Sequence, residues 1–141
     1  MDILDDTQNP TLMVETILKA QGWDYDRIEE DQIQVFVSGQ AGEYTLSFIW
    51  QEKFGALQII VANDITYSDY QYAEAAKVID GINRSLWMGH FQITQDSLKP
   101  TFRYTALLRG MTSFHGTEYI ADLLEIALCE SEKHYASLVN V

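Results

Sequence analysis

The sequence holds a single cysteine, Cys129, two prolines and only nine lysines and arginines in 141 residues. Each scarcity excludes something. One thiol cannot close an intramolecular disulfide, and no paired cysteine spacing is left for a structural zinc. Two prolines and eight glycines rule out a low-complexity chain. Nine bases against 21 acids leave a net charge of -12, and a field of that sign repels phosphate backbones and anionic headgroups, so no nucleic acid and no membrane is expected as a partner. No run approaches 18 apolar residues, and the opening MDILDDTQNP is acidic, without an apolar signal core. The expected location is therefore cytoplasmic.

What is present is the composition of a globular domain, 47% hydrophobic and 12% aromatic against 21% charged. Area scaling buries about two-thirds of the unfolded surface at this mass, enough for a core without staples. Residues 1–9 are expected to be a flexible acidic N-terminus and residues 10–138 a single domain. The acidic excess is uneven: residues 1–70 carry 13 acids and 3 bases, residues 71–141 carry 8 and 6. Part of it is concentrated in Asp24, Asp26, Glu29, Glu30 and Asp31. A solvated face that keeps the protein soluble is one reading, a surface for basic segments the other.

Asn9 before Pro10 marks a helix start, and Met13, Val14, Ile17 and Leu18 recur at helical spacing until Gly22. The period then becomes two. Ile33, Val35 and Val37 alternate with polar residues, SGQAG turns, and Tyr44, Leu46, Phe48 and Trp50 alternate again; after a turn over Glu52 to Gly55, Leu57, Ile59 and Val61 continue the pattern. Tyr25 to Glu29 is a candidate extra strand. From Ser68 to Trp87 the helical period returns, with Ala75, Val78, Ile79, Ile82 and Leu86 on one face. Gly89 ends that helix, His90–Thr94 and Thr101–Leu108 form a second hairpin, and Gly110 closes the unit. Thr117 is the expected cap of a final helix that turns Ile120, Leu123, Leu124, Ala127 and Leu128 inward. The expected fold class is α+β, a two-layer α/β sandwich on an antiparallel sheet, in the order α-β-β-β-α-β-β-α.

Chemistry leaves little mark. His90, His115 and His134 fall in three different elements, HExxH and GxSxG are absent, and Gly39 and Gly42 read as hairpin glycines rather than a phosphate cradle. No catalytic residue, metal ligand or cofactor site is expected, and the protein is read as not an enzyme. Cys129 is expected to be a buried structural thiol in an apolar helix, and Trp87 with His90 to anchor a helix-to-strand corner. The strands carry the candidate site. With Val35, Leu46, Phe48, Ile59, Phe102 and Tyr104 on the core side, the opposite side shows Gln34, Ser47, Gln58, Arg103 and Thr105, but also Phe36, Ile49, Ile60 and Leu107. One apolar residue per strand suggests a stripe, read as a partner interface; the competing reading is that the last helix or a loop covers it.

The stretch Trp87-Met88-Gly89-His90-Phe91, with Phe102-Arg103-Tyr104 and Leu107-Leu108-Arg109-Gly110 downstream, resembles the YbjN family, labelled bacterial sensory transduction regulators. Gly22-Trp23, the segment Tyr44 to Trp50 and an acidic helix ending near His134-Tyr135 agree with it. The resemblance implies a type III secretion chaperone-like fold and carries no catalytic motif. It also implies a homodimer and a protein or peptide client. The function expected from residues and resemblance together is a protein- or peptide-binding module with a chaperone-like or regulatory role. The alternative is a small-molecule-sensing regulatory domain.

Overall fold

The computed structural model describes residues 9–108 and 113–141. Helix α1 (Thr11–Gln21) is followed by four strands, β1 (Tyr25–Glu29), β2 (Gln32–Ser38), β3 (Glu43–Gln51) and β4 (Ala56–Asn63). Then come α2 (Tyr72–Asn83), β5 (His90–Gln92), β6 (Thr101–Leu107) and α3 (Ser113–Val139). The six strands form one sheet in the order β1-β2-β3-β4-β6-β5, antiparallel at every pairing.

Local chemistry sets these boundaries. Asn9 Oδ1 accepts the Thr11 N–H at 2.9 Å, satisfying one free donor at the start of α1. At its end Gly22 takes φ +74°, its N–H donates to Lys19 and that of Trp23 to Leu18. That paired arrangement closes a helix on a left-handed residue. The turn over Glu52–Phe54 ends likewise on Gly55 at φ +61°.

The period-two pattern becomes sidedness. Ile33, Val35 and Val37 on β2, Tyr44, Leu46, Phe48 and Trp50 on β3, and Leu57, Ile59 and Val61 on β4 are all buried. They pack in one core with Val14, Ile17 and Leu18 of α1, Ala75, Ile79 and Ile82 of α2, and Ile120, Leu123, Leu124, Ala127 and Leu138 of α3. Each such side chain contributes about 1.5–3 kcal/mol on burial. A slip of one residue would turn a whole strand's set to solvent, so the register is firmly fixed. The described helices all lie on this one side of the sheet.

Several boundaries differ from the sequence reading. The candidate strand Tyr25–Glu29 is one, so the first meander has four strands and the expected order gains a β. Helix α2 stops at Asn83 although apolar spacing runs on to Leu86, because the Asn83 carboxamide bonds the backbone of Phe91 and the chain leaves through short turns at Ser85 and Leu86. Trp87 is 78% exposed and anchors nothing; Asn83 and Phe91 hold the corner instead. Helix α3 begins at Ser113, which places Thr117 inside it rather than at its cap. Cys129 is exposed, since Ala127 and Ser131 take the inward positions on either side of it. Gly110, and residues 1–8 of the expected N-terminal segment, lie outside the described residues.

Candidate interaction face

With the helices on one side, the second side of the sheet is a solvent-facing surface that no described helix crosses. All four residues expected as a partner interface stand on it. Phe36 on β2 and Leu107 on β6 are 65% and 66% exposed, while Ile49 on β3 and Ile60 on β4 are partly buried.

The register shows how they are related. Ile49 lies opposite Gln58, and Ile60, two residues beyond Gln58 on β4, is its diagonal neighbour. Phe36 is opposite Thr45 on the β2 side, and Leu107 opposite Ala56 on the β6 side. The four therefore do not form the expected stripe. They form a central pair between the two middle strands, with one exposed apolar residue a strand away on each side. Amides and hydroxyls fill the space between, and Gln58 Nε2 donates to Gln51 Oε1 at 2.9 Å.

One row across this face also carries charge. Asp26, Gln34, Ser47, Ile60, Arg103 and His90 are successive cross-strand partners on β1, β2, β3, β4, β6 and β5. The row is acidic at the β1 end and basic at the β5–β6 end. Glu29, opposite Gln32, adds a second carboxylate at the β1 end. Asp26 and Arg103 make no ion pair among the described residues. Sequence reasoning named Arg103 as a polar residue of this face but missed the opposition, because it depends on β1 belonging to the sheet.

Other polar clusters serve the fold. Arg27 pairs with Glu15 at 2.8 Å and also bonds Thr11 and the Glu30 carbonyl, fastening α1 to β1. The Tyr25 hydroxyl donates to Glu15, and this bond and that of Arg27 hold the Glu15 carboxyl below its usual range. The Tyr44 hydroxyl is buried without a hydrogen-bond partner; burial and the nearby Glu132 carboxylate push its ionisation far up. Burial likewise pushes Tyr67 up to about 12, and its hydroxyl donates to the Leu138 carbonyl. His134 and Glu130 lie 3.3 Å apart on α3, and the imidazole packs edge-on to Phe91. Among the described residues no group of three or more His, Cys, Asp or Glu is placed to hold a metal ion, and no helix is long and apolar enough to cross a membrane.

No curated protein matches the chain. In fold it is similar to the crystal structure of YbjN, "a putative transcription regulator from E. coli", with a TM-score of 0.64 at 12% identity, covering 95% of this chain and 96% of that one. An identity that low speaks for the fold alone. The family described as "Putative bacterial sensory transduction regulator" matches residues 11–138, a span from the start of α1 to the end of α3. Family match and shared α+β architecture agree, and the chain belongs to the YbjN family.

Proposed function

We propose that this YbjN-family domain is a non-enzymatic, cytoplasmic regulator that works by binding a polypeptide on the open face of its sheet. The observation that carries the reading is the one-sided placement of the helices. They bury the core side of β2, β3 and β4 and leave Phe36 and Leu107 two-thirds exposed around the Ile49–Ile60 pair. Phe36 and Leu107, separated by amides and hydroxyls, give the open face two apolar anchor points, and a sheet face of this kind offers an extended chain or a second sheet a half-polar platform. A small-molecule sensor would need an enclosed cavity with converging polar groups. The depression of about 540 Å³ beside α3, lined by Gln40, Ala41, Leu128, Cys129, Glu132 and Lys133, is open to solvent and mostly apolar, and does not offer those converging groups.

Site-specific photocrosslinking in cells tests it. A benzophenone amino acid replacing Phe36 or Leu107 should capture the same polypeptide, and one replacing Tyr70, 85% exposed outside the sheet, should not. Adding Ile49→Asp with Ile60→Asp, in protein shown by circular dichroism to stay folded, should abolish capture. Equal capture at position 70, or none at 36 and 107, overturns the proposal.

A further inference from the structure

The helix side of the molecule carries a groove of its own. Two depressions lie along the outer surface of α3 and share a wall made by Leu128 and Cys129. The one of about 540 Å³ lies toward the C-terminus of α3, closed by Gln40 and Ala41 of the β2–β3 hairpin. The other, of about 410 Å³, lies toward the N-terminus, where α3 meets the end of α1 at Ile17, Gln21 and Trp23. Its chemistry is different. Asp122 and Glu125, about one helical turn apart on α3, line it; both are exposed, and neither makes an ion pair among the described residues.

An indole beside two unpaired carboxylates suits a guanidinium or ammonium group, which the carboxylates attract by charge and the ring by its quadrupole. The hairpin-side depression suits an aliphatic side chain. Its lining is mostly apolar, its Glu132 already accepts the Ala41 N–H, and Lys133 at its rim repels a second base. The walls also select the occupant's conformation. Two helices with internally paired backbones form most of them, and the hairpin's Ala41 N–H is taken. An extended segment finds no strand edge here, whereas a helix arrives with its own backbone groups satisfied. Measured along α3, the two linings are centred near position 125 and near position 130, a rise of roughly 9 Å. That is nearest the about 10.5 Å between positions i and i+7 of a second helix, with i+3 falling over Leu128 and Cys129.

We propose that this groove docks an amphipathic helix of another protein, lying along α3 with a basic side chain beside Trp23, Asp122 and Glu125 and an apolar side chain two turns away against the hairpin. The site is separate from the sheet face and does not depend on it. The net charge of -12 adds long-range attraction for a basic segment. Residues 1–8 of this chain, with three aspartates and no lysine or arginine, have the wrong sign for it.

Cys129 makes the test direct, because it is the chain's one cysteine and is exposed in the shared wall. An alanine-rich helical peptide with Arg, Cys and Leu at i, i+3 and i+7 is equilibrated with the protein in 2-mercaptoethanol, where the yield of mixed disulfide reports the contacts made beside the thiol. That yield should exceed, by at least about fivefold, the yield with Glu in place of Arg or with Leu moved to the opposite face of the peptide. A proline between Cys and Leu should lower it equally. Asp122→Arg with Glu125→Arg should make the Glu peptide the better captured one. Asp26→Arg with Glu29→Arg, the same change of charge on the sheet face, should leave the Arg peptide ahead. Circular dichroism checks each fold, and the peptide comparisons stand without any variant. Equal capture of the Arg and Glu peptides, indifference to the position of Leu, or a reversal by the sheet-face variant overturns the docking site; undiminished capture of the proline peptide overturns its helical occupant.

Discussion

Asn83 does the work of a missing strand. Its carboxamide donates to the Phe91 carbonyl at 2.9 Å and accepts the Phe91 N–H at 2.8 Å, so the free side of the short edge strand β5 is filled by a side chain. Each such bond contributes about 0.5–1.5 kcal/mol, and leaving the backbone pair unmet costs more. Asn83→Ala should therefore lower the unfolding free energy by about 2–3 kcal/mol, read as a lower urea midpoint with an unchanged m-value. An unchanged midpoint would mean that the corner is held by packing alone. Gly89 shares the burden at φ +69°, where a Cβ would run into the Phe102 ring. These residues also show what a sequence discloses at this scale. Gly89 is legible as a breaker, because few other residues adopt its backbone. Asn83 reads as an ordinary polar position on an amphipathic helix, since nothing local reveals that Phe91 returns beside it. Trp87 misleads in the opposite sense, its size suggesting an anchor where the fold leaves it in solvent.

At the scale of elements, what was legible had a period and what was not had a polar tether. Strands β2, β3 and β4 announce themselves by alternation. Strand β1 does not, because of its two inward residues Arg27 is charged and is held by Glu15 of α1, and Tyr25, although packed against the core, also spends its hydroxyl on Glu15. The same gap hid the acidic end of the outer face, while its apolar residues were read correctly as facing away from the core and wrongly as a single row. The β2–β3 hairpin is tethered in a comparable way. The Glu132 carboxylate on α3 accepts the Ala41 N–H at 2.7 Å, and the Tyr135 ring sits against Gly42 while its hydroxyl donates to Asp64 at 2.7 Å. Glu132→Ala should release the hairpin tip locally. Amide exchange at Ala41 should rise at least about tenfold, with a global loss of only about 1–2 kcal/mol. If exchange at Ala41 stays slow, the carboxylate bond is not what protects the turn.

At the scale of the whole molecule, the net charge of -12 opposes any pairing of two copies, and magnitudes decide how salt acts on it. Treated as point charges about 25 Å apart, two such copies repel by roughly 10 kcal/mol at 10 mM salt and roughly 1 kcal/mol at 150 mM, because the Debye length falls from about 30 to about 8 Å. The point-charge picture exaggerates the size, but its direction is firm. Raising NaCl from 10 to 150 mM should therefore weaken the mutual repulsion of copies, read by static light scattering as a fall in the osmotic second virial coefficient, with little further change at higher salt. A coefficient that stays constant or rises over that range would mean that the acidic surfaces do not govern how two copies approach.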